Sequence, residues 1–288
     1  MSIPAPTGPS NPTSIVIAGA GPAAQALVGQ LDRAEFRGSI TVLSNRDDAP
    51  EALLELAALP QVSVRFGQPA THIDPAARRV TTEGGLEIGY DQLVIATGSA
   101  PVHAPIEGAA RGLHYSTIDD ATAISEAVKE ATRILGRRPL GILVGTGATA
   151  GQAEAVLRAR GVRPVRTTAR PAAVVPSLAG SPLEAAGIRF DDGSTMLGDL
   201  VVLAEDRLPH DSLAAEAGLE TARDGGIVIS HDFRTSVPGI WAIGDAAAFD
   251  GVRLGLLVAA DSAAGACAAQ LMGAVPAQPF RSDAQAAA

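Results

Sequence analysis

Two short stretches of this chain carry residues whose types and spacing fit one chemistry, the holding of a pyrophosphate. In the first, Gly19, Gly21 and Ala24 stand at the spacing G-x-G-x-x-A within Ile-Val-Ile-Ala-Gly-Ala-Gly-Pro-Ala-Ala, residues 15–24. An apolar run over 15–18 precedes them, and Ala26, Leu27, Val28 and Leu31 follow at helical spacing. Strand, glycine turn and helix in that order make a dinucleotide cradle. The tight turn needs Gly19, and Gly21 keeps a Cβ out of the space a phosphate fills. Ala24 lets the helix lie close to the strand. The helix start, with Pro22 where a missing N–H costs nothing and Ala23 beside it, offers N–H groups and a positive dipole end. In the second stretch Gly145, Gly147 and Ala150 repeat the spacing in Gly-Thr-Gly-Ala-Thr-Ala, after an apolar run over 140–144 and before a helical pattern over 152–160. Two such units in one chain are far more telling than one.

Other chemistries lack their residues. Cys267 is the single cysteine, so the chain holds no redox dithiol, disulfide framework or cysteine metal cluster. His72, His103, His114, His210 and His231 are scattered without ligand spacing, and no metal site is expected. A net charge of −9 and 3% aromatic residues argue against a nucleic-acid partner. No apolar run reaches the roughly 18 residues of a membrane span. No charged-then-apolar leader opens the sequence, so a cytoplasmic location with no membrane partner is expected. At 288 residues and 47% hydrophobic, the chain suits two globular domains.

The elements that must position the two stretches follow in order. Pro4, Pro6, Pro9 and Pro12 mark a flexible arm. A second strand over 39–43 leads into Ser44, Asn45 and Arg46. An acid here would bind adenosine ribose hydroxyls; Asn45 offers an uncharged amide, with Asp47 and Asp48 as alternatives. The pattern predicts a helix over 51–59, a strand over 62–66 and a β-meander over 69–91 through Asp74-Pro75 and Gly84-Gly85. It predicts a buried strand over 93–96 ended by Thr97-Gly98, and a helix over 119–134 capped by Asp119 or Asp120. In the second unit a strand over 164–168 is flanked by Arg166 and Arg170. A cation there can accommodate a 2′-phosphate and so favours NADP over NAD, while a solvated turn explains the same arginines. A hairpin turn at Asp192-Gly193, strands over 200–204 and 240–243, the Gly244-Asp245 turn and a small-residue helix over 256–272 complete the pattern.

Four of these stretches, 15–24, 90–101, 145–150 and 234–245, together resemble the two-dinucleotide-domain flavoproteins, the pyridine-nucleotide disulfide oxidoreductase superfamily. Within it the resemblance is to the branch of the nitrite reductase flavin part and the rubredoxin and ferredoxin reductases. It implies an α/β fold of two Rossmann-like three-layer dinucleotide-binding domains, the second inserted in the first, with a small β-meander. It places an FAD domain at 13–117 and 225–275, a shortened NAD(P)-type domain at 118–224, the arm at 1–12 and a tail at 276–288. Gly19, Gly21, Pro22, Ala23 and Ala24 would face the FAD pyrophosphate. Asn45 and Arg46 would serve the adenosine side, Ala96, Thr97 and Gly98 the crossover beside the cofactor, and Gly244 and Asp245 the ribityl chain. Gly145, Gly147, Ala150 and Arg170 would face a nicotinamide dinucleotide. The implied activity is FAD-dependent hydride and electron transfer, with NAD(P)H as donor and a small molecule or redox protein as partner. Disulfide reduction is not expected.

The departures from the family pattern are as informative. Asp48-Ala49-Pro50 runs directly into the helix over 51–59, so the family's ring-side segment and its lysine are missing; Lys129, the only lysine, lies on another helix. Gln152 stands where the family has a glutamate. Glu205-Asp206-Arg207-Leu208-Pro209-His210 replaces a small-residue motif, and Glu205 adds negative charge near a phosphate. Asp261-Ser262-Ala263 replaces a Trp-Glu-Gln stretch. The family's C-terminal interface domain has no counterpart, and an oligomer through an exposed apolar face is expected. Two other readings stay open: a redox-inactive nucleotide-binding or structural subunit, and a non-redox flavin-dependent enzyme.

Overall fold

A computed structural model describes residues 12–102, 106–177, 183 and 185–273. The arm at 1–12 (Pro12 apart), the tail at 276–288 and His103 lie outside the described residues. The chain forms two compact units, 1–99 with 209–288, and 100–208. The handovers differ from the 117/118 and 224/225 expected from sequence, for reasons of pairing. Leu113–Tyr115 joins the second unit because it pairs in parallel with Leu200–Ala204. The short helix Ser212–Glu216 joins the first because it packs on Ala70–Asp74.

The first unit is built on a parallel sheet in the spatial order Ile240–Ala242, Gln92–Ile95, Ser14–Ala18, Ser39–Leu43 and Val62–Arg65. The central strand is apolar from Ile15 to Ala18 because a parallel sheet is buried on both faces. Ile15, Val16, Ile17 and Ala18 are all 1% exposed or less. Helix Pro22–Arg33 follows, burying Ala24, Leu27, Val28 and Leu31 at helical spacing. It packs against helix Ala260–Leu271, whose buried face of Ala263, Ala264, Cys267 and Ala268 is small enough for close approach. That helix starts four residues later than the sequence suggests, because Leu254–Leu256 forms a separate 3-10 turn. The expected meander is the antiparallel sheet Ala70–Asp74, Arg79–Thr82 and Glu87–Gly89, anchored by fully buried Ile73 and Val80.

The second unit repeats the plan on a smaller scale. Its parallel sheet runs Val165–Thr167, Gly141–Val144, Leu200–Ala204 and Leu113–Tyr115, with helices Ala121–Leu135 and Gly147–Ala159. A 3-10 turn, Ile118–Asp120, leads into helix Ala121–Leu135, and its capping box joins Thr117 and Asp120, whose carboxylate accepts from the main-chain N–H of Ser116 and Thr117. An antiparallel sheet of Pro171–Pro176, Ala185–Phe190 and Thr195–Leu197 turns at Asp192-Gly193.

One contact sets the height of the first glycine loop. Gly19 has φ +115°, and a Cβ on it would stand 2.2 Å from the main-chain oxygen of Ala96 on the neighbouring strand. Neither a left-handed backbone nor a buried carbonyl yields cheaply to a methyl group. Gly19→Ala is expected to destabilise the protein by about 2–4 kcal/mol, read as a shift in denaturant midpoint. An unshifted midpoint would show that the loop is not seated on that carbonyl.

Candidate dinucleotide sites

The segments leaving the carboxyl ends of four of the five strands of the first sheet lie side by side. Gly19 N donates to Leu43 O at 2.9 Å, Ala96 N to Ala18 O at 2.8 Å, and Ile243 N to Ile95 O at 3.0 Å. The segments after Ala18, Leu43, Ile95 and Ala242 therefore emerge side by side, in the crevice where open α/β sheets bind ligands. The turn Gly244–Ala246 lies against the start of helix Pro22–Arg33, and a Cβ on Gly244 would stand 2.7 Å from the Ala23 Cβ. Gly21 is the opposite case: a Cβ there would meet nothing within 4 Å. The ground over Gly21 is open. The helix has no side-chain cap and no acid in its first turn. Its first bond runs from Gln25 N to Gly21 O, so the N–H groups of Ala23 and Ala24 lie ahead of the helical ladder.

Around this opening the side chains hold one another. Asp245 is sheltered, its side chain 13% exposed, and its Oδ2 accepts from Ser99 Oγ at 2.7 Å and from Arg253 at 2.5 Å. Arg253 is itself 8% exposed. A carboxylate taken this far out of water needs a cation beside it. Sequence reasoning missed Arg253; its only signal is a lone arginine opening the apolar stretch 252–258. Thr97 Oγ1 donates to His210 O at 2.6 Å, and His210 N donates to Gly98 O at 2.9 Å. His210 Nδ1 lies 3.0 Å from Thr97 O, and since a carbonyl only accepts, Nδ1 carries the proton. His210, one of the histidines scattered without ligand spacing, thus clamps Thr97-Gly98. Asn45 is exposed at the end of its strand. Arg46 forks onto Asp48 at 2.8 and 2.6 Å, and that hydrogen bond holds the Asp48 carboxyl below its usual range. Of the two residues expected on the adenosine side, Asn45 stands clear and Arg46 is already matched to a neighbouring acid.

The second loop copies the first in part. A Cβ on Gly145 would stand 2.6 Å from Ala204 O, as Gly19 does toward Ala96 O. Gly145 N donates to Thr167 O at 3.2 Å, and Ala150 is buried like Ala24. Gly147 breaks the likeness: a Cβ there would lie 3.8 Å from both carboxylate oxygens of Asp206. Asp206 Oδ2 accepts from Thr146 Oγ1 at 3.3 Å. Glu205, the acid the sequence points to, turns aside and pairs with His114 Nδ1 at 2.9 Å. Gln152 Oε1 accepts from the Tyr115 hydroxyl at 3.2 Å. Arg166 donates to Gly145 O and pairs with Glu154 at 3.6 Å, while Arg170 pairs with Asp191 at 3.4 Å. Both cations expected for a 2′-phosphate are engaged by oxygens of the chain itself.

Comparison with known proteins follows the same two loops. The pyridine nucleotide-disulphide oxidoreductase family matches residues 13–171 and 148–264. An assimilatory nitrate reductase electron transfer subunit of Bacillus subtilis is 27% identical over 249 residues, which is 79% of this chain and 32% of that protein. The nitrite reductase (NADH) large subunit of Escherichia coli is 29% identical over 68% of this chain and 26% of its own length. A probable ferredoxin reductase of Castellaniella defragrans is 30% identical over 275 residues, covering 80% of this chain and 67% of that protein. The chain thus spans about a third or less of the first two relatives. The solved putidaredoxin reductase–putidaredoxin complex shares the fold, with a TM-score of 0.56 and 23% identity over 92% of this chain and 76% of the other. Among the described residues no helix is long and apolar enough to cross a membrane. A match that runs through both glycine loops and on past the Gly244-Asp245 turn settles the kinship: the chain belongs to the pyridine nucleotide-disulphide oxidoreductase family.

Proposed function

We propose that this chain is an FAD-binding oxidoreductase that passes electrons to a redox partner protein, with the first glycine loop as the FAD cradle. The open ground over Gly21, at the start of a helix with no side-chain cap, carries this reading. The N–H groups of Ala23 and Ala24 and the helix dipole would hold the pyrophosphate. Gly19 seats the loop on Ala96 O, and Ala24 keeps the helix down on the strand. Asn45 would bond the adenosine ribose as a neutral amide. The Ser99–Asp245–Arg253 cluster fixes the Gly244 turn beside the cradle, and His210 fixes Thr97-Gly98. A bound flavin would supply the redox chemistry, taking up an electron pair and releasing it singly or together. Pyridine nucleotide, the family's donor, would belong to the loop Gly145 to Ala150.

The partner class rests on the relatives, one named an electron transfer subunit and another a probable ferredoxin reductase. Disulfide reduction does not fit. The single thiol, Cys267, is fully buried on helix Ala260–Leu271, and desolvation pushes its pKa far up.

The purified protein is expected to be yellow, or to become so on reconstitution with FAD. Gly21→Val should lower retained flavin by about tenfold or more. Its melting temperature without cofactor should stay near that of the native apo-protein, since a Cβ at this position has open space around it. Undiminished retention would move the phosphate site elsewhere, and a protein that never takes up FAD would defeat the proposal. Separately, Arg253→Met leaves a sheltered carboxylate without its cation and should cost about 3–5 kcal/mol in denaturant unfolding. Adding Asp245→Asn should recover part of that loss; no recovery would mean that the two side chains act independently.

A further inference from the structure

We propose that Asp206 is a built-in anion that competes with pyrophosphate for the second glycine loop and holds down its affinity for pyridine nucleotides. This rests on reading Gly145 to Ala150 as a dinucleotide-type loop, and is independent of whether the first loop holds FAD. The two loops agree at their first glycine, each lying under a main-chain oxygen of the adjacent strand end. They agree at the buried alanine, Ala24 and Ala150. They part at the second glycine, which faces open ground at Gly21 and two carboxylate oxygens at Gly147.

A phosphate cradle works because N–H groups and a helix dipole face an unopposed space. In the second unit that space already has an acid at its edge. The Asp206 carboxylate is held by Thr146 Oγ1, the residue that starts helix Gly147–Ala159. Its main chain is held as well: Asp206 O accepts from Val102 N at 3.0 Å, and Glu205 N donates to Tyr115 O at 3.0 Å. Glu205 is tied further by His114. A pyrophosphate approaching Gly147 would meet a like charge that cannot easily withdraw, and would displace the Thr146 bond. The two cations that the sequence places beside this loop are already engaged, Arg166 by Gly145 O and Glu154, and Arg170 by Asp191. The acid at position 206, more than the glycine pattern, therefore sets what this loop accepts.

The test is calorimetric titration of NADPH and of NADH into the native protein and into Asp206→Ala, Asp206→Gly and Asp206→Asn. Thermal melts of each variant check that the second unit still folds, and the asparagine variant keeps the shape if the smaller ones do not. The dissociation constant should fall at least about tenfold in the alanine and glycine variants, with asparagine between them and the native chain. Native affinity equal to that of the variants, or no gain in any folded variant, would overturn the proposal. Flavin absorbance is followed in the same samples. Its absence would count against the FAD reading of the first loop, whereas the nucleotide titration alone decides the role of Asp206.

Discussion

The seating of a glycine beneath a neighbouring carbonyl is the constraint on which the first unit depends. With Gly19 against Ala96 O, the chain turns immediately above the sheet, and helix Pro22–Arg33 starts at the ends of the strands rather than beyond them. That placement brings Ala23 under Gly244 and sets the helix start beside Thr97-Gly98 and Asn45. A methyl group at position 19 would lift the loop, and every later coincidence would be lost. The small-residue face of helix Ala260–Leu271 serves the same end, since it lets the first helix stay low on the strand.

The second unit shows what a similar strand, glycine turn and helix do with different side chains. Gly145 repeats the seating under Ala204 O, but the backbones part at the second glycine, Gly147 having φ +65° where Gly21 has φ −74°. The charge in front of the loop differs too. Where the first loop opens on uncapped N–H groups, the second meets Asp206, and its flanking arginines are matched to Glu154 and Asp191. Fold and occupancy are separable properties of a glycine loop, and a Rossmann-like unit is evidence of the first alone.

Much of this was legible in the residues because it depends on local period. The apolar run before Gly19, the helical spacing after it, and the Asp192-Gly193 hairpin are all short-range signals, and each appears where expected. What escaped depends on pairing across the fold. Leu113–Tyr115 is too short to announce itself and is a strand only beside Leu200–Ala204, which draws it into the second unit. The residues from Leu256 to Ala259 are apolar enough to pass for helix, but Leu256 closes a separate turn and the helix begins at Ala260. Arg253 pairs with Asp245, eight residues earlier along the chain and adjacent in space, a contact no local pattern announces. The choice between Glu205 and Asp206 turns on alternation: successive side chains leave an extended backbone on opposite sides, so one acid reaches His114 and the other Gly147.

The central claim is that the first glycine loop holds FAD through the start of its helix. A crystal structure of the protein reconstituted with FAD tests it most directly. The account predicts pyrophosphate density over Gly21, within hydrogen-bonding distance of the Ala23 and Ala24 N–H groups. Pyrophosphate density over Gly147, or away from both loops, would contradict it.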